Sequence, residues 1–155
     1  MISSDAESAV TVAEQRNGSG LKYGIRINFL GVGVAAIAAF VASGLWYSPL
    51  LFGNLYMSVR GAEPGVMSPA EILIELGRTL VVAYVFAHLV VRLGVRDWRG
   101  AVRFGLLVWI GFPVMILLGS VAHENVSLQL AAIHAGDWLV KVVILSVVPS
   151  LWRAR

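Results

Sequence analysis

Four apolar stretches, at residues 27–46, 70–93, 101–122 and 128–151, are each long enough to cross a bilayer. Spanning the ~30 Å hydrocarbon core takes ~20 mostly apolar residues in a helix. With no water at that depth, every backbone N–H and C=O must be satisfied within the segment, and an isolated run of this length manages that only as an α-helix. The expected fold is therefore all-α, an integral membrane four-helix bundle over 25–155, preceded by a mobile polar tail at 1–24. The tail lacks the positive start, short apolar core and cleavage site of a signal peptide, so the first span reads as an uncleaved anchor. A charged content of 14% and a mean hydropathy of +0.80 leave little chain for a soluble catalytic domain. Any chemistry then belongs to the spans or to their short connections.

The basic residues give the orientation. Lys22 and Arg26 precede the first span, Arg92, Arg96, Arg99 and Arg103 crowd the second connection, and Arg153 and Arg155 follow the last span. The first connection offsets Arg60 with Glu63, and the third carries Glu124 with no Lys or Arg. The positive-inside rule places both termini in the cytoplasm, N-in and C-in, with the first and third connections outside. A net charge of +3 distributed in this way marks topology and attraction to membrane lipids. It is not a basic stripe interleaved with aromatics, so nucleic acid is excluded as a partner. The absence of cysteine removes disulfides, thiolate metal sites and cysteine nucleophiles together.

Within the first span, Gly31, Ala35, Ala39 and Ser43 recur every fourth residue. Such a ridge of small side chains admits another helix at close range, either within the chain or across a homo-oligomer or larger membrane complex. Pro113 removes one backbone hydrogen bond from the third span and is expected to kink it. Ser68-Pro69 followed by Glu71 reads as an N-cap, a first-turn proline and an anion placed at the favourable end of the helix dipole.

Polar residues gather toward one end of the bundle. Glu71, Glu75 and Arg78 share a face of the second span, and His134, Asp137 and Lys141 share a face of the fourth, with Trp138 beside them. His123 and Glu124 end the third span and Tyr47 ends the first, all at the same outer end. Charges inside lipid cost ~2.5–3.5 kcal/mol each near a helix centre on insertion scales, so these groups should face one another. Glu75, Arg78, Asp137 and Lys141 form a set of two anions and two cations, expected as a structural ion network. An outward-facing polar pocket is expected to be lined by Tyr47, Glu71, Glu75, Arg78, His123, Glu124, His134 and Asp137.

A metal is the sharpest alternative use of these residues. Bundle-core di-metal proteins, however, carry Glu-x-x-His on their helices, and this chain has His134-x-x-Asp137 and Glu71-x-x-x-Glu75 instead, so no metal is expected. Haem is excluded by distance, because His88 lies ~28 Å along its helix from Pro69, toward the opposite face from His134. Ser120 and Ser127 flank His123 without a nucleophile elbow around either. No cofactor and no catalytic residue set is expected.

Asn28, Ala38-Ala39-Phe40, the run Leu45-Trp46-Tyr47-Ser48-Pro49-Leu50-Leu51-Phe52-Gly53, and His123-Glu124 with Ala135-Gly136-Asp137-Trp138-Leu139-Val140 resemble the bacterial membrane proteins grouped as domain of unknown function 1761. The resemblance covers roughly residues 28–152, and Trp-Tyr-Ser-Pro with Phe-Gly is its most specific part. It implies four membrane helices in the bacterial cell (inner) membrane, an aromatic residue where Asp137 stands here, and no established activity. The leading expectation is a binding or accessory subunit whose pocket holds a small polar ligand, an ion or a lipid head group. The alternative is a membrane enzyme acting on a lipid-soluble substrate, with His134 or Glu75 as acid or base.

Overall fold

A computed structural model describes residues 27–61 and 68–152. The expected tail at 1–24 lies outside the described residues. Among the described residues five helices follow one another: α1 (Phe29–Trp46), α2 (Gly53–Arg60), α3 (Pro69–Arg92), α4 (Trp98–His123) and α5 (Leu128–Leu151). No strand occurs among the described residues. All but α2 are long and apolar enough to cross a membrane, so the fold is a four-span membrane bundle. Helix α2, in the first connection, was not expected: its eight residues are too few and too polar to stand out in a search for spans. It is bounded by Gly53, whose missing Cβ leaves room for the Tyr47 and Ser48 backbone, and by Gly61, which closes it in the left-handed conformation at φ 66°.

The helix starts follow from their caps. Asn28 Oδ1 accepts from the N–H groups of Leu30 and Gly31 at 3.1 and 3.3 Å, and Asp97 accepts from the Gly100 N–H at 2.8 Å. Ser68 and Glu71 form a full capping box, with Pro69 at the first helical position. Ser127 caps α5 through the Leu130 N–H at 3.2 Å. Pro113 is accommodated in a π-helical segment, Ile110–Val114, inside α4. The wider turn accommodates a residue that can neither donate its hydrogen bond nor tolerate the carbonyl of a regular preceding turn.

Helix α5 is the hub. Helices α1, α3 and α4 all pack on it, and α1 also packs on α3. The centre is built from small residues, Ala35, Ala36, Ala39, Ala83 and Ala87, with Val142 and Leu145 from α5. In lipid there is little hydrophobic gain from bringing helices together, so close approach and the dispersion it brings carry the association. The Gly31, Ala35, Ala39 and Ser43 ridge is buried inside the bundle, meeting α5 from the Trp152 carbonyl at one end to Asp137 at the other. Asn28 Nδ2 donates to that same Trp152 carbonyl at 3.2 Å, joining the start of α1 to the end of α5. On the other side, Gly105 lets α4 approach Ser146 and Val142 of α5.

Two indoles clasp the first half of α5. Trp46 Nε1 donates to the Ile133 carbonyl at 3.0 Å, and Trp109 Nε1 donates to the Ala135 carbonyl at 2.7 Å. The Trp46 ring lies over Gly136, where a Cβ would collide with it. Gly136→Val should therefore displace the ring and lower stability by ~1–3 kcal/mol, the usual range for overpacking. Gly33→Ala, which adds a methyl into open space, should be neutral or stabilising by up to ~1 kcal/mol from helix propensity. Thermal unfolding in detergent measures both, and equal melting of Gly136→Val and wild type would refute the seating of Trp46.

Candidate functional site

A chain of ionic contacts links three of the four spans. Lys141 Nζ on α5 lies 3.0 Å from Glu75 Oε1 on α3 and 3.1 Å from Asp137 Oδ2 one turn back on α5. Ser43 Oγ on α1 donates to the other Asp137 oxygen at 2.6 Å. Arg78 Nη1 donates to Glu75 Oε2 at 2.9 Å. Lys141 also sits 5.6 Å from the centre of the Trp138 ring, a cation over an aromatic face. Burial falls steadily along the chain: the side chains of Asp137 and Lys141 are 6% and 9% exposed, Glu75 is 24% exposed and Arg78 is 64% exposed.

The four charges of the expected network are thus brought together, with Lys141 at the centre. Arg78 reaches Glu75 alone, because Asp137 is taken by Lys141 and Ser43. Ser43 had read as a packing residue in the small-residue ridge, and its hydroxyl is the additional partner that α1 supplies. A shallow cleft opens where the chain meets the surface. Its floor holds Glu75, Arg78 and Lys141, and its walls are Val82 of α3 with Trp138 and Leu145 of α5.

A second group lies nearer the α2 end of the bundle. Tyr47 Oη and His134 Nδ1 are 2.7 Å apart, and Tyr56 packs edge-on against both rings, with centroids 5.0 Å from Tyr47 and 5.7 Å from His134. Arg60 donates to the Tyr56 hydroxyl at 2.7 Å. Burial, and then the negative charge of Asp137, push the Tyr47 phenol well above the usual tyrosine range, with Tyr56 and Glu75 adding to the effect. The phenol hydrogen stays available to the imidazole. Tyr56 and Arg60 did not emerge from the sequence as site residues, although their i, i+4 spacing between two glycines is the signal that would have found them. His134, Trp138, Lys141 and Leu145 lie at i, i+4, i+7 and i+11, one stripe of α5 that connects the aromatic group to the cleft.

Three expected pocket residues lie apart from both groups. Glu71 is fully exposed and accepts from the Ser68 N–H and hydroxyl at 2.7 and 2.9 Å, completing the α3 cap. His123 and Glu124 lie exposed at the end of α4. Among the described residues, no three His, Asp or Glu side chains converge in a way that could hold a metal ion.

The segments that carry this geometry, Trp46-Tyr47-Ser48 on one side and His134 to Trp138 on the other, fall within a family match. The family described as "Protein of unknown function (DUF1761)" matches residues 30–150. The chain belongs to this family. No curated protein and no solved structure matches it. In this DUF1761 member the two segments are packed on each other: Trp46 covers Gly136, Tyr47 meets His134, and the Trp46 ring lies tilted against Phe52 at 4.5 Å.

Two outcomes follow from these contacts. Lys141→Met strands the buried Asp137 carboxylate and should cost ~3–5 kcal/mol, as breaking a buried pair does, whereas Arg78→Met leaves Glu75 on Lys141 and should cost less. Adding Asp137→Asn to Lys141→Met should lose less than the sum of the single changes, and strictly additive losses in detergent melting would show that the two do not pair. For Tyr47, the folded pKa lies above the unfolded one, so the neutral phenol contributes its full stability below pH ~10 and loses it as pH rises beyond that. Tyr47→Phe should then leave the phenolate absorbance developed up to pH ~11 unchanged; a clear loss of amplitude would place Tyr47 among the ordinary tyrosines.

Proposed function

We propose that this protein is a non-enzymatic binding or accessory subunit of the bacterial cell membrane, with both termini in the cytoplasm. Its ligand-binding surface is the polar half of the bundle, where it holds a small polar ligand, an ion or a lipid head group. The observation that carries the reading is that the ion chain is open at one end: Asp137 is sealed in the bundle, while Lys141 reaches the floor of the cleft between α3 and α5 and Glu75 and Arg78 are progressively more exposed there. A network serving packing alone is best closed on all sides, because charges left facing hydrocarbon are costly. The chain is also charge-balanced, and that suits holding a guest better than abstracting a proton. Homo-oligomers or a larger membrane complex fit the broad exposed apolar face of α4, including Leu107, Phe112 and Ile116.

A second reading, a membrane enzyme acting on a lipid-soluble substrate, draws on the short Tyr47–His134 hydrogen bond. An imidazole paired with a protonated phenol is a candidate acid–base couple. On this reading, His134→Gln abolishes a turnover; on the leading reading, His134→Gln affects retention of a bound species or has no effect.

Orientation and binding are both measurable. Reporter fusions after Arg99 should report cytoplasm and fusions after Asn125 the outside, and an inverted pattern would overturn the outward-facing site. Mass spectrometry of the intact protein, released gently from detergent, should find a non-protein species that is lost from Val82→Trp, in which the indole fills the cleft. A wild-type protein carrying no such species, or carrying it equally in Val82→Trp, would refute a binding role for the cleft.

A further inference from the structure

Arg78 is the least enclosed charge of the ionic chain. Among the described residues its guanidinium makes one hydrogen bond, to Glu75, out of the five N–H donors it offers. Glu75 in turn is shared with Lys141, so Arg78 holds only part of that carboxylate's charge. The unused donors face out of the bundle, on a side chain 64% exposed.

Depth decides what can meet them. Helix α3 has 24 residues, ~36 Å at 1.5 Å per residue, so it overhangs a ~30 Å hydrocarbon core by ~3 Å at each end. The Arg78 Cα, nine residues from Pro69, is then ~10 Å below the hydrocarbon boundary. Helical side chains lean toward the helix start, and an arginine reaching ~6 Å that way brings its guanidinium to within ~4 Å of the boundary. That is too deep for a freely hydrated ion and within reach of the phosphate and ester layer of the lipids. Beneath Arg78 the cleft is walled by the half-buried Val82 and Trp138, an apolar surface that suits an acyl chain. At the upper end of the same α5 stripe, Tyr56 and Arg60 close over His134.

We propose that the cleft between α3 and α5 seats one membrane phospholipid, its phosphodiester taking the free N–H donors of Arg78 and an acyl chain lying along Val82 and Trp138. The planar guanidinium fork matches a pair of phosphate oxygens, and the match is stronger for being made out of water. The proposal rests on the cleft being a binding site and names its occupant. Lys141 and Glu75 belong to the fixed floor: Glu75 orients Arg78 and Lys141 neutralises the carboxylate behind it.

Full-length protein in detergent, titrated separately with phosphatidylglycerol, with diacylglycerol of the same acyl chains and with inorganic phosphate, tests this by mass spectrometry of the intact complex. Wild type should retain one phosphatidylglycerol at concentrations where neither diacylglycerol nor inorganic phosphate is retained. Arg78→Gln should weaken that retention at least tenfold and Arg78→Lys should fall between, with circular dichroism and gel filtration unchanged because Arg78 lies on the surface. Equal retention by Arg78→Gln, equal retention of diacylglycerol, or binding of inorganic phosphate alone would each overturn the proposal. If Val82→Trp releases a bound species that Arg78→Gln keeps, the cleft is a binding site for another molecule and only the phosphodiester assignment fails. If neither substitution changes what is bound, the binding role of the cleft fails with it.

Discussion

An ammonium group held between two carboxylates at membrane depth is the interaction on which this bundle depends. Lys141 and Asp137 lie on the central helix, Glu75 arrives from α3, and Ser43 on α1 takes the remaining Asp137 oxygen. Each charge would be expensive alone in lipid, and with Arg78 held on Glu75 the two anions and two cations are together neutral. Apolar faces in lipid slide with little penalty, since one methyl resembles another. A lysine that must find two carboxylates does not. The polar chain therefore fixes the register of α1, α3 and α5, and the alanine-rich core supplies the close approach that this register permits.

Much of this was legible in the sequence, because a membrane leaves few choices. The four spans could be read from length and hydropathy to within a few residues, and the Ser68-Pro69-Glu71 cap from its residue types. The small-residue ridge of α1 was visible as a surface made for close packing, but not whether its partner lay inside or outside the chain. That depends on which helix stands at the centre. Charge counting assembled Glu75, Arg78, Asp137 and Lys141, yet it could not tell that Lys141 is the buried member and Arg78 the exposed one. The difference comes from helix rotation, which sequence periodicity leaves free when a helix is apolar on nearly every side.

One feature escaped because its signal is short. Helix α2 has eight residues and brings Tyr56 and Arg60 over His134 by tertiary contact. Conversely, Glu71 shares a face of α3 with Glu75 and Arg78 but is taken up by the Ser68 cap at the helix start, and His123 and Glu124 lie exposed at the end of α4. The family match spans both the aromatic group and the ion chain, and so includes the side chains that fix how α1 and the first connection sit against α5.

The π-helical segment Ile110–Val114 bears on how α4 is phased. A π turn holds one more residue than an α turn, so everything beyond it is rotated by ~100° about the helix axis relative to an unbroken helix. The half of α4 that begins at Trp98 turns Gly105 and Trp109 toward α5. The half that begins at Met115 runs on a different phase, and Met115, Ile116 and Leu118 face outward. Helix α4 is in effect two half-helices out of phase with each other, both touching the hub, the first more extensively than the second. Pro113 holds the phase boundary in place: restoring a regular α turn there would roll the far half, with His123 and Glu124 at its tip, by more than a quarter of a circle.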